Sequence, residues 1–197
     1  MIHHLRGPLV SLTPTAAVVE CGGVGYEVLI SLYTYGQWTG KEEVLAYTHL
    51  VVREDAHVLY GFARTDEREV FLALLGVSGV GAGTARMVLS ALDPSAARTA
   101  IASGDVGLLK GVKGIGVKTA QRIVVDLQDK IGAGGGVEAP SGLFSGPRNK
   151  VRDEALSALV SLGFDRVRCE KTLDSIANNS PEELPVEALI KQALRQL

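Results

Sequence analysis

Gly76-Val77-Ser78-Gly79-Val80-Gly81-Ala82-Gly83-Thr84-Ala85 returns 35 residues later as Gly111-Val112-Lys113-Gly114-Ile115-Gly116-Val117-Lys118-Thr119-Ala120. Six of the ten aligned positions are identical, no gap is needed, and Val80/Ile115 is a conservative seventh. Apolar pairs extend the match, with Leu74/Leu109 before it and Val88/Ile123 and Leu89/Val124 after it. An ungapped internal repeat marks a duplicated structural unit. Each copy lies between helical patterns. Val70 to Leu75 is an apolar block opened by Asp66 and Glu67, and a second helical run begins at Thr84. The Gly-apolar-Gly core lets the chain turn with φ > 0 where a Cβ would clash. Its middle residue, Val80 or Ile115, can tuck between the helices. The helix leaving the turn points unpaired N–H groups outward, and its positive dipole end favours an anion. Gly79, Gly81 and Thr84 in one copy, and Gly114, Gly116 and Thr119 in the other, are the candidate phosphate-binding positions.

Other glycine-rich readings fail on spacing. A nucleotide-binding P-loop needs Gly-x4-Gly-Lys-Thr, but Val117 stands where the lysine belongs and Lys118-Thr119 comes one residue late. A dinucleotide fold needs a strand before its turn, and both turns here follow helical patterns. Two ligand-free helix–helix turns would not need the basic residues around the second copy. Lys110, Lys113, Lys118 and Arg122 cluster there, with no acid between Asp105 and Asp126. Lys118 and Arg122 are four residues apart and share a helix face. The pattern resembles the helix-hairpin-helix motif, a DNA-binding element that does not read sequence. In this resemblance the first copy departs at Gly83, which stands opposite Lys118 and where a basic residue is often found. The first turn is therefore expected to hold phosphate mainly through backbone.

The 197 residues carry a net charge of −2, and 46% of them are hydrophobic. Bulk charge does not announce a nucleic-acid partner, but its distribution does. Residues 1–63 sum to −3, residues 64–134 to +2 and residues 135–197 to −1. Only the repeat region is basic, and an acidic part of a DNA binder can reject phosphate as well as tolerate it. Cys21 and Cys169 have no metal or disulfide spacing, which fits a reducing cytosol. No secretory signal and no membrane-spanning run stands out, so a cytoplasmic protein is expected. No metal, cofactor or catalytic residue is expected either. His3, His4, His49 and His57 lack a joint metal spacing and read as ordinary barrel or surface residues.

Residues 1–62 read as strands: Leu9 to Leu12, Ala16 to Cys21, Val24 to Ile30, Glu43 to Val52 and Ala56 to Phe62. Gly22-Gly23 is a hairpin signal. Five short strands in this length suit a small closed barrel of the OB type. Arg53-Glu54-Asp55 lies between the last two strands, where a solvated charged turn is common. The stretch Thr48 to Ala56, running on to Leu59-Tyr60-Gly61-Phe62, resembles the RuvA family of bacterial Holliday-junction-binding proteins. So does the hairpin Gly22 to Val28. The resemblance implies that Glu54 and Asp55 form an acidic pin at the junction centre.

The expected organisation is multidomain, α and β. An OB-type β-barrel spans 1–63, a tandem helix-hairpin-helix DNA-binding domain 64–131, a flexible glycine-rich linker 132–148, and a small three-helix domain 149–197. In the last, Val151, Ala155, Leu156, Leu159 and Leu162 form one stripe closed by Gly163, and a third helix follows Pro185. The family resemblance implies that this domain docks on RuvB, an ATP-driven ring motor, and Leu159, Leu162 and Phe164 are the candidate motor-binding residues. It also implies a homotetramer, as one plate or two face to face, that holds four-way junction DNA open and square, with RuvC resolving the junction. DNA contact falls to Gly79, Gly81, Thr84, Gly114, Gly116, Lys118, Thr119 and Arg122. Two alternatives differ in class. A helix-hairpin-helix repair enzyme would need a catalytic group such as Asp126 or Lys130 in a base pocket, and the helical region has no aromatic-rich stretch to build one. A plain protein scaffold would bind no DNA.

Overall fold

The computed structural model describes residues 2–133, 147–179 and 184–197. The chain divides into two compact units, Met1–Gly135 and Gly136–Leu197.

The first unit opens with a closed five-stranded barrel in the order β1-β2-β3-β5-β4. Its strands are β1 (His4–Leu12), β2 (Ala16–Cys21), β3 (Val24–Leu29), β4 (Glu43–Val52) and β5 (His57–Phe62). The Gly22-Gly23 turn has φ of 61° and 82°, the paired positive values a tight two-residue hairpin requires. β1 begins five residues earlier than its hydrophobic pattern suggests. Residues His4 to Pro8 pair with β4 and close the barrel, while Leu9 to Leu12 pair with β2 across an irregularity in register. One strand thus serves two neighbours.

A helix unforeseen in the sequence, α1 (Leu32–Trp38), connects β3 to β4. Tyr, Thr, Gly and Trp are poor helix formers. Ser31 caps the helix by accepting from the Thr34 N–H, and Trp38 is buried in the barrel core with Val19, Val28 and Ile30.

Five helices follow: α2 (Thr65–Leu75), α3 (Ala82–Ala91), α4 (Pro94–Ala102), α5 (Val106–Lys110) and α6 (Val117–Ala133). Asp93 caps α4 ahead of Pro94, and Asp105 caps α5, each accepting a backbone N–H that would otherwise be orphaned. Ile123 and Leu127 of α6 are buried with Leu74, Val88 and Leu109. Tyr60 and Phe62 of β5 belong to this same core. Their rings lie 5.1 and 4.8 Å from that of Phe71 on α2, and the His49 ring lies 5.9 Å from it. Barrel and helices therefore share apolar packing and form one compact unit.

Glu67 reinforces this junction. Its side chain is fully buried. It accepts from the Ser31 hydroxyl, from the Thr34 hydroxyl at 2.6 Å and from the Ala63 N–H at 3.1 Å. Sequence reading sees Glu67 only as an acid opening α2. Burial pushes its carboxyl above the ordinary glutamate value, and the three hydrogen bonds partly oppose that rise. Glu67→Ala leaves the buried Ser31 and Thr34 hydroxyls without their acceptor, while the Ala63 N–H keeps the Thr34 hydroxyl at 3.0 Å, and is expected to destabilise the first unit by roughly 3 kcal/mol. Because the folded-state pKa is raised, Glu67 binds its proton more tightly in the folded chain. Its contribution is fully present below the unfolded value and declines as pH rises through the raised one. The stability of the wild type relative to Glu67→Gln, read from denaturant midpoints between pH 4 and 8, is expected to fall with rising pH.

The second unit holds α7 (Pro147–Ser161), α8 (Arg166–Asn179) and α9 (Val186–Leu194). Ala155, Leu156, Leu159, Cys169, Leu173, Ile176, Leu189 and Ala193 form its own small core. Arg152 bridges α7 to α8 through Asp174 at 2.6 Å. Of the expected linker, residues 134–146 lie outside the described residues, whereas its two ends, 132–133 and 147–148, are helical in α6 and α7.

Candidate nucleic-acid interface

The two turns of the repeat are duplicated bond for bond. In the first, Val77 N–H donates to Leu74 O at 3.1 Å, Val80 N–H to Val77 O at 3.0 Å and Ala85 N–H to Gly81 O at 2.9 Å. In the second, Val112 N–H donates to Leu109 O at 3.2 Å, Ile115 N–H to Val112 O at 3.1 Å and Ala120 N–H to Gly116 O at 2.9 Å. Gly79 and Gly114 have φ of 88° and 90°, which an L side chain rarely adopts. Val77, Val80, Val112 and Ile115 are buried in the shared core, so each turn is held from beneath. The glycines Gly79, Gly81, Gly114 and Gly116 are exposed above it.

This packing leaves the helix starts open. Gly81 is the N-cap of α3 and offers no capping side chain. The first N–H groups of α3, at Ala82, Gly83 and Thr84, have no intrahelical acceptor. The same bonding leaves those of Val117, Lys118 and Thr119 at the start of α6. Thr84 and Thr119 are half-buried beside them. Each opening presents clustered donors and a positive dipole end, the arrangement that receives a phosphate oxygen.

Lys110, Lys113, Lys118 and Arg122 are exposed, and none pairs with a carboxylate among the described residues. Lys118 stands at the mouth of the second turn, and its counterpart Gly83 carries no side chain. Arg122 does something the spacing does not reveal. Its Nη1 donates to the carbonyl and hydroxyl of Ser78 at 3.3 and 3.2 Å. A side chain of the second hairpin is thus fastened to the turn of the first. Arg86 of α3 similarly donates to the carbonyl of Thr15 at 3.0 Å, and Leu32 N–H donates to the Ser90 hydroxyl at 3.1 Å. These contacts tie the first hairpin to the barrel. In the sequence the contact leaves only the difference of both its residues from their repeat partners, Ser78 against Lys113 and Arg122 against Met87.

Glu54 and Asp55 are exposed at the tip of the β4–β5 hairpin. The last ladder pair is Val52 with His57, and Arg53 N–H donates to Ala56 O at 2.9 Å. The two acids occupy the middle of this short turn. Neither forms an ion pair among the described residues.

In the second unit the structure separates the three candidate motor-binding residues. Leu159 is fully buried, Phe164 is partly buried against the same core, and Leu162 is 62% exposed. Leu159 is thereby corrected from a surface residue to a core one, since its side chain fills the space between the three helices. Val160 and Val167, which the stripe did not single out, are exposed like Leu162.

The repair-enzyme alternative gains little from the groove beside Lys130. Leu72, Ala73, Leu127 and Ile131 line much of it, and its one carboxylate, Glu69, is paired with Arg98 at 2.6 Å. Among the described residues no cluster of three or more potential metal ligands occurs, and no helix is long and apolar enough to cross a membrane.

An OB-type barrel packed on two hairpins with open helix starts defines a nucleic-acid-binding protein of the tandem helix-hairpin-helix class. Residues 1–61 match the RuvA N-terminal domain, residues 71–129 the SAM-like helix-hairpin-helix tandem, and residues 150–197 the RuvA C-terminal domain. Relatives align along the whole chain. One from Christiangramia forsetii is 48% identical and one from Flavobacterium psychrophilum 47%, each over 197 residues and covering all of both chains. One from Parabacteroides distasonis is 47% identical over 200 residues, again covering both chains in full. All three are named Holliday junction branch migration complex subunit RuvA. The chain belongs to the RuvA family.

Proposed function

We propose that this chain binds Holliday junctions by shape and recruits the RuvB motor to drive branch migration. The observation carrying this reading is the pair of identically bonded turns, fixed over one core and open at both helix starts. Such turns contact phosphates, which position DNA without reading bases. A junction must slide through the complex, so sequence-independent contacts are what the task needs.

The active assembly in this reading is a homotetramer that presents one pair of hairpins to each of four duplex arms, as a single plate or as two plates face to face. Glu54 and Asp55 of each subunit gather at the centre and keep the backbone from settling where strands exchange. The second unit docks on RuvB through an exposed face that includes Leu162, with Phe164 at its edge. RuvC acts on the held junction. The chain carries no ATP-binding motif, so the energy for migration comes from the motor.

The test is a gel-shift titration with a four-way junction, a linear duplex of equal length and a single strand, each in two unrelated sequences. A junction engages all four subunits at once, whereas a linear duplex reaches only some of them. The multivalent gain predicts junction binding on the order of 10²-fold tighter than duplex binding, with little difference between sequences. Equal affinity for junction and duplex would overturn the reading, and no binding to any DNA would return the chain to the class of protein scaffolds.

A further inference from the structure

We propose that Arg122 of the second hairpin supplies the cation for the first hairpin's phosphate site. The proposal rests on the phosphate-binding reading of the two turns and assigns a side chain within it. The two copies are unequal. Lys118 serves the mouth of the second turn, but its counterpart in the first is Gly83. The first turn therefore has backbone donors and no charged side chain of its own at that position. Arg122 makes good the difference from across the domain. It is anchored on the Ser78 carbonyl and hydroxyl, one residue before Gly79, by its Nη1 alone. A guanidinium has five N–H donors in a rigid fork. Those on Nη2 and Nε have no partner among the described residues, and the side chain is exposed. A phosphate at the start of α3 could take them as a two-pronged, charge-assisted contact.

The repeat makes this arrangement one-sided. Arg122 aligns with Met87 in the first copy, and Ser78 aligns with Lys113 in the second. A reciprocal arm from α3 to the second turn would bring a thioether to an ammonium, which offers no comparable bond. The second hairpin has Lys113 and Lys118 of its own and needs no donor from the first. Each turn is thus provided with positive charge, one locally and one by its neighbour. Because the anchored arginine touches both hairpins, it also sets the spacing of the two phosphate sites.

The test is a substitution cycle on the full-length protein, with linear duplex as the probe of phosphate grip and the four-way junction run beside it. Space at Gly83 is open, since a Cβ there meets nothing within 4 Å. Arg122→Ala is expected to lower the log–log salt slope of duplex binding by roughly 0.9 for each phosphate that the arginine neutralises. Gly83→Lys in the Arg122→Ala background is expected to restore that slope. In the wild type and in Lys118→Ala, where Arg122 already occupies the first site, Gly83→Lys is expected to add little. An equal gain from Gly83→Lys in all three backgrounds would overturn the proposal, because the two positions would then be independent. So would an unchanged slope in folded Arg122→Ala, which would make the arginine a strut only, or a failure of Gly83→Lys to rescue it. Thermal melts confirm that each variant is folded. The junction arm keeps the two readings apart. Loss of junction preference with the rescue pattern intact sinks junction recognition and leaves the arginine's role standing. Intact preference without rescue does the reverse, and absence of duplex binding in the wild type overturns both.

Discussion

A protein ending at residue 133 is expected to bind the four-way junction as the full chain does and to leave RuvB unstimulated. The first unit keeps its whole core in this form. Among the residues whose burial is described, Ile131 is the last in this core, and α6 ends at Ala133. The three helices beyond have their own core, with no residue in common. Removing them should cost the barrel and hairpins nothing in stability and remove the proposed docking surface entirely. The readouts are junction affinity by gel shift and branch migration by the added motor with ATP. A finer variant, Leu162→Glu in the full chain, changes an exposed side chain, where substitutions usually alter stability by less than about 0.5 kcal/mol. It is expected to weaken motor coupling while junction affinity holds. Undiminished migration with the truncated protein would show that the motor docks on the first unit.

Neutralising the acidic turn is expected to tighten DNA binding and spoil its selectivity. Glu54 and Asp55 are exposed at a hairpin tip, with no ion pair among the described residues. In the proposed tetramer, about eight such carboxylates would gather round one axis. Repulsion between each and a phosphate about one Debye length away is weak, but the sum over the ring comes to about tenfold in affinity at physiological salt. Arg53, beside them in the turn, offsets part of this charge. Glu54→Gln with Asp55→Asn should therefore tighten linear duplex binding by up to about that factor. Junction preference should shrink, and motor-driven migration should change in rate, since the centre now tolerates backbone. The effect should fade near 1 M salt, where the Debye length falls to about 3 Å. Folding stability should hardly move. Dissociation constants for duplex and junction, taken for both proteins across a salt titration, decide the matter. Unaltered duplex affinity at low salt would reduce the two acids to an ordinary solvated turn.

Much of this molecule was legible in its sequence because the relevant constraints are local. The two turns were readable because a positive-φ glycine, an apolar residue tucked beneath it and a helix start all lie within ten positions. The ungapped repetition made the pattern unmistakable. Five short strands within 62 residues, with a hairpin signal at Gly22-Gly23, indicated a small barrel. The cap at Asp93 needed only the residue and the proline after it.

What the sequence could not determine depends on partners far along the chain. The first half of β1 is a strand because β4 pairs with it; His4 to Pro8 has a single large apolar residue, Leu5, and carries a glycine and a proline that do not announce a strand. α1 is a helix because Trp38 fills the barrel core and Ser31 and Thr34 meet the buried Glu67 of α2. Leu159 and Leu162 share a stripe in the sequence, yet packing of three helices buries one and exposes the other. The contact from Arg122 to Ser78 spans 44 residues and joins positions that the repeat itself does not pair. Periodicity and spacing report what each segment can do alone. Only folding the segments against one another decides which side chains lose their water, and which are left to meet a ligand.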